Sequence, residues 1–111
     1  MAKFVLLLHS NPANFAKLSP EEMQQAIEKY RAWTQKPFTL DGQRLANDPG
    51  RVLRSEGNKV RVVDGPYSET KEVLGGYYII EAANYDEAVQ LTKEHPQLEY
   101  GGTIELRQAW E

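Results

Sequence analysis

The chain has 111 residues, 41% of them hydrophobic, 26% charged and 10% aromatic, which reads as one ordinary globular domain, 1–111, with no internal boundary. Its 13 Lys and Arg against 16 Asp and Glu leave a net charge of −3, without the positive field that holds a phosphate backbone, so nucleic acid is not an expected partner. The absence of cysteine excludes disulfides, thiolate chemistry and Cys-based metal or iron–sulfur sites.

Lys3–His9 (KFVLLLH) is a near-continuous apolar run stopped by Ser10-Asn11-Pro12, the pattern of a central strand buried on both faces. Its apolar core, Phe4–Leu8, is too short for a signal segment or a membrane span, so a cytoplasmic setting with no membrane partner is expected. Ser19 then precedes Pro20, Glu21 and Glu22: an N-cap, a proline at the first helical position and acids at the positive end of the dipole. This predicts a helix from about Pro20 to Lys36, with Met23, Ala26, Ile27, Tyr30 and Trp33 along one buried stripe.

The segment from Pro37 to Gly50, with Asp41-Gly42 and Asp48-Pro49-Gly50, reads as a connection with turns and little regular structure. Arg51–Ser55 and Asn58–Asp64, parted by Glu56-Gly57, predict a β-hairpin that Asp64-Gly65-Pro66 ends. Ser68–Glu72 suits a single helical turn capped by Ser68 and ended by Gly75-Gly76. Tyr77–Ala82 (YYIIEA) is a second central strand, and Asn84 caps a helix whose Tyr85, Ala88, Val89, Leu91, Thr92 and His95 share one side before Pro96 closes it. After Gly101-Gly102, Thr103–Trp110 alternates, with Ile104, Leu106 and Trp110 on one face.

The resulting order, β-α-β-β-β-α-β, implies an α+β fold, a ferredoxin-like antiparallel sheet with two helices on one face. If Phe4, Leu6 and Leu8 face the helices, Val5 and Leu7 face the open side, as does either Tyr77 with Ile79 or Tyr78 with Ile80. A face so apolar calls for cover, and a second sheet would supply it. The expectation is a homodimer, a dimeric α/β barrel with an internal space for a small-molecule ligand. A chain of this length, burying only about two-thirds of its unfolded surface, also gains from self-association.

Two histidines and no cysteine leave a short inventory for chemistry. His9 shares the parity of Val5 and Leu7, so it is a candidate proton carrier or ligand contact in the cavity; the alternative is a local hydrogen bond at the start of a loop. His95, beside Pro96, reads as a dipole-compensating helix cap. In the polar stretch after the hairpin, Asp64 is a candidate base, Tyr67 a hydrogen-bonding wall and Lys71 an anion contact, while a fold-defining turn explains the same residues. Glu105 and Arg107 alternate with Ile104 and Leu106; they pair across a dimer, bind an acidic ligand, or are solvated edge charges. Tyr30 and Trp33 read as core residues of the first helix, and Trp110 as a residue at the dimer seam. No nucleotide-loop, serine-hydrolase or zincin motif occurs and no ligand cluster forms, so neither a cofactor nor a metal is implied.

The stretch DGPYSETKEVLGGYYIIEA resembles the DGPF branch of the YCII-related family, a motif followed there by a polar turn, Lys-Glu, a Gly pair and an aromatic-rich strand. FVLLLHSNP, LSPEEMQQAIEKYRAW, NYDEAVQLTKEHP and GTIELRQ extend the resemblance over nearly the whole chain. It implies dimeric α/β barrels of ferredoxin-like subunits, and it places Asp64, Gly65, Pro66, Tyr67, Lys71 and Glu72 on the family motif, with Tyr67 where the branch generally has Phe. Some relatives use a cavity His–Asp pair, a dehydrochlorinase-type enzyme among them, but their histidine lies in the first helix. This chain has no His between Pro20 and Lys36, so that dyad does not carry over. Genes of the branch often neighbour extracytoplasmic-function sigma factors. Two functions follow as expectations: a small-molecule-binding homodimer, in enzymatic form an acid–base lyase or isomerase with His9 and Asp64 as catalytic candidates, or a non-catalytic regulatory module.

Overall fold

The computed structural model describes residues 1–67 and 70–110. Its elements run β1 (Ala2–Ser10), α1 (Ala13–Ala16), α2 (Pro20–Thr34), β2 (Thr39–Arg44), β3 (Arg51–Glu56), β4 (Lys59–Asp64), β5 (Val73–Ala82), α3 (Tyr85–Thr92), α4 (Pro96–Glu99) and β6 (Thr103–Gln108). The fold is mixed α and β with an antiparallel main sheet in the order β2-β5-β1-β6. The two long apolar runs, β1 and β5, occupy its centre, as their composition requires. That arrangement is compatible with a ferredoxin-like subunit. Among the described residues, no helix is long and apolar enough to cross a membrane.

The core follows strand parity. Phe4, Leu6 and Leu8 of β1 and Tyr78, Ile80 and Ala82 of β5 are buried together with Trp33 and Ala88, and Tyr30, Leu91, Ile104 and Leu106 pack around them. This settles the alternative left open by the pattern of β5: Tyr78 and Ile80 point to the helices, and Tyr77 and Ile79 take the opposite face. The first long helix begins as its residues dictate. The Ser19 hydroxyl accepts from the Glu22 N–H at 3.1 Å while the Glu22 carboxylate accepts from the Ser19 N–H at 3.0 Å, a reciprocal capping box. The bond from the Ser19 N–H to the carboxylate, helped by the Ser19 side chain, holds the Glu22 carboxyl below its usual range. Ala26 and Trp33 are its buried residues, on the predicted stripe.

Three sequence expectations are corrected. Thr39–Arg44, read as an irregular connection, is an edge strand of the main sheet, because the free edge of β5 pairs with it whatever its side chains. Gly42 is what this pairing requires, since the Tyr78 ring lies over the position where a Cβ would stand. The predicted hairpin does form, but as a separate two-stranded sheet, with Gly57 at positive φ (60°) opening a two-residue turn between Glu56 and Lys59. Gly75-Gly76 lies inside β5 and does not end a helical turn; Gly76 abuts the Gln43 carbonyl, where a side chain would crowd β2. Of the expected helical turn Ser68–Glu72, residues 68 and 69 lie outside the described residues, and residues 70–72 are not helical.

The hairpin projects as an arm. β3 and β4 pack chiefly on each other, and the molecule is flat and extended, 45 × 41 × 19 Å. Its radius of gyration is 15.8 Å, where about 13 Å is usual for a compact chain of this length. Register locates the root of the arm: Arg44 pairs with Gly76 and Gly76 with Leu8, so β2 leaves the sheet, and β5 enters it, at the end where His9 lies.

Candidate functional site

Opposite the helices, the sheet presents Val5 and Leu7 of β1 beside Tyr77 and Ile79 of β5, all only half-buried. His9 continues the same face at the end of β1, after an irregularity in the pairing between Leu8 and His9. On the neighbouring strand, Glu105 lies opposite Leu7 and Arg107 opposite Val5, because Ile104 and Leu106 take the core side. Alternation therefore collects one imidazole, one carboxylate and one guanidinium above an apolar floor. His9 Nε2 is 3.5 Å from Glu105 Oε1, and Arg107 Nη1 donates to Glu105 Oε2 at 3.4 Å. The Glu105–Arg107 pair forms within one chain.

The carbonyl of His9 is held from below. The buried amide of Gln97 donates from Nε2 to the His9 oxygen at 2.9 Å and accepts on Oε1 from the Tyr30 hydroxyl at 2.5 Å. Room for this amide exists because Gly102 has no side chain; a Cβ there would overlap it. The Tyr78 hydroxyl donates to the Tyr30 carbonyl at 3.1 Å. Burial pushes the Tyr78 phenol up to about 12 and the Tyr30 phenol up as well, so both remain neutral donors. The sequence offered no sign of Gln97, a polar residue between Pro96 and Leu98.

His95 is not a charged helix cap. It is 2% exposed, and its Nδ1 accepts from the Gln97 N–H at 2.9 Å, so it caps the N-terminus of the following short turn rather than the C-terminus of α3. Rings of Trp33, Tyr78 and Tyr30 stand around it at centroid distances of 4.6, 4.9 and 5.5 Å. Burial lowers its pKa to about 4, which keeps it neutral. Its Nε2 is buried without a hydrogen-bond partner among the described residues.

The other candidates lie elsewhere. Asp64 ends β4 on the arm, 81% exposed, with Arg51 Nε at 3.4 Å from its carboxylate. Beyond the cis Gly65–Pro66 bond, Tyr67 is largely exposed, and the Arg54 guanidinium lies 5.4 Å from its ring centroid. Gly65 donates to the Gly50 carbonyl at 3.1 Å, and a Cβ on it would overlap the Pro49 carbonyl, so the Asp-Gly-Pro-Tyr segment closes the root of the arm. Lys71 and Glu72 are exposed and lead into Val73, which pairs with Ser10, the residue after His9. The fold thus brings His9 together with Arg107 and Glu105, puts Asp64 and Tyr67 on the arm, and runs Lys71 and Glu72 between them. Trp110 is fully exposed. Among the described residues, no three His, Asp or Glu side chains converge as a metal-holding group.

These features can be set beside known proteins. Among solved structures, 5-chloro-2-hydroxyhydroquinone dehydrochlorinase (TftG) from Burkholderia phenoliruptrix AC1100, in complex with 2,5-dihydroxybenzoquinone, matches 98% of this chain and 93% of its own. The TM-score is 0.53 and the identity 16%, a likeness of fold. Uncharacterized protein R00369 of Rhizobium meliloti (strain 1021) is 43% identical over 43 residues, a stretch that takes in 39% of this chain and 35% of that protein. The YCII-related domain matches residues 2–111, so the chain belongs to the YCII-related family.

Proposed function

We propose that the protein is a homodimer that binds a small hydroxylated, anionic aromatic compound between the open faces of its two sheets and moves a proton on it through His9. The observation that carries this reading is the His9–Glu105–Arg107 cluster above the apolar strip of Val5, Leu7, Tyr77 and Ile79. An apolar floor with a few convergent polar groups is the usual make-up of a small-molecule site. Glu105, near Nε2, orients the imidazole and stabilises it once protonated; a neutral ring turned that way presents Nδ1 as the base. Arg107 matches an ionised oxygen on the ligand. Proton removal with return at another atom is the chemistry of an isomerase, and proton removal with departure of a leaving group and its electron pair is that of a lyase; neither needs a redox step or a covalent intermediate. The structural likeness to a dehydrochlorinase that holds a dihydroxybenzoquinone supports this ligand class. Asp64, Tyr67, Lys71 and Glu72, at the His9 end of the sheet, act in this reading at the mouth of the site, and the likeness of their motif supports membership of the DGPF branch.

Calorimetric titration with 2,5-dihydroxybenzoquinone tests the proposal. Wild-type protein is expected to bind it, with at least a tenfold loss, about 1.4 kcal/mol, in Arg107→Ala and in His9→Ala. Binding that is absent in the wild type, or equal in both folded variants, removes the cluster from the function.

A further inference from the structure

The arm carries an apolar stripe that its own chain does not cover. Leu53 lies opposite Val62, and Val60 lies on the same face two pairs further out; Leu53, Val62 and Val60 are 63%, 56% and 62% exposed, respectively. A lone two-stranded hairpin is at best marginally stable in water, yet this one is held at its root by the Gly65–Gly50 hydrogen bond and the Arg51–Asp64 pair. Such a built and uncovered element calls for a surface to lie on.

Charge indicates which surface. Residues 51–64 hold four basic side chains, Arg51, Arg54, Lys59 and Arg61, against the acids Glu56 and Asp64. The rest of the chain holds nine basic residues against fourteen acidic ones. Two arms repel each other, whereas an arm and the body of another copy attract. The root of the arm also lies at the His9 end of the sheet, where a second copy's sheet would begin to be covered. We propose that the arm is a clasp in the homodimer: Leu53, Val60 and Val62 of one chain pack on the body of the second copy, closing the end of the space between the two sheets. The clasp rests on the homodimer reading given above, and its own failure is separable from that reading's.

The chain has no cysteine, so Val60→Cys takes a single benzophenone-maleimide probe at the arm. Photolysis of a mixture of isotopically heavy and light chains is expected to give heavy–light cross-links from residue 60 to peptides outside residues 51–64. Links confined to one chain, links between two arms, or no heavy–light links overturn the clasp. Sedimentation gives the second reading. The Leu53→Glu/Val62→Glu variant, whose changes lie on an exposed hairpin, is expected to keep the wild-type circular dichroism and to dissociate at concentrations at least tenfold higher than wild type. Unchanged association overturns the clasp. If Leu7→Glu/Ile79→Glu dissociates while the arm variant does not, the clasp fails and the open-face dimer stands. The reverse result keeps the packing of the arm on the second copy but removes the open-face site and with it the closing of a space between the sheets, and a monomeric wild type removes all of these.

Discussion

His95 and Gln97 are adjacent in structure and opposite in how they satisfy their polar atoms. The amide of Gln97 uses both ends, on Tyr30 and on the His9 carbonyl, whereas the His95 ring uses only Nδ1 among the described residues. Desolvation therefore dominates at His95 and lowers its pKa from 6.5 to about 4. Between those values the unfolded chain binds more protons than the folded one, so stability rises with pH across the window. This contribution is full above pH 6.5 and is lost as the pH falls toward 4, about 3 kcal/mol in all. Urea midpoints measured from pH 7 to pH 4 are expected to fall more steeply for wild type than for His95→Asn. That variant keeps an acceptor for the Gln97 N–H and has no group titrating there. Parallel slopes would place the acid sensitivity elsewhere. Neither role was legible from sequence: periodicity put His95 on the apolar side of its helix without showing that it stays neutral there, Gln97 carries no periodic signal, and the environment of both comes from α2, β5 and β1.

At the scale of elements, local chemistry explains the helices and the hairpin, and pairing explains β2. The Ser19 box and the Asn84 cap, whose side chain accepts from the Glu87 N–H at 3.0 Å, start helices where their residues indicate. TLDGQR has no strand pattern of its own, and its Asp41-Gly42 resembles a turn, yet the exposed edge of β5 recruits it. The arm depends on Gly65 in a similar non-local way, through its approach to Pro49. Gly65→Ala is expected to lower stability by about 1–3 kcal/mol and to loosen the arm first. Hydrogen exchange should show faster exchange in residues 51–64 than in β1 and β5; equal effects in both sheets would mean that the root is not a local joint.

The whole molecule is a thin layer of helices on a sheet whose other side is open. One apolar face on β1 and β5 is only half-buried and one apolar stripe on the arm is exposed, surfaces of the kind that a partner covers. If a second copy covers them, unfolding is coupled to dissociation and the thermal midpoint depends on protein concentration. A hundredfold dilution is expected to lower Tm by several degrees in scanning calorimetry. A midpoint independent of concentration would indicate a subunit that is stable alone.

The near-continuous apolar runs KFVLLLH and YYIIEA were enough to place β1 and β5 at the centre, and alternation gave His9 the parity of Val5 and Leu7, but only packing decided that Phe4, Leu6 and Leu8 face the helices. Such patterns are legible because a strand's side chains alternate whatever surrounds it. The same rule paired Glu105 with Arg107, but only the antiparallel register of β6 on β1 set Glu105 within reach of His9 and carried Asp64 away to the arm. Register and strand order depend on contacts between residues far apart in the chain, and so do the buried support of Gln97 and the edge position of β2. No single segment contains that information, because it arises when the segments pack.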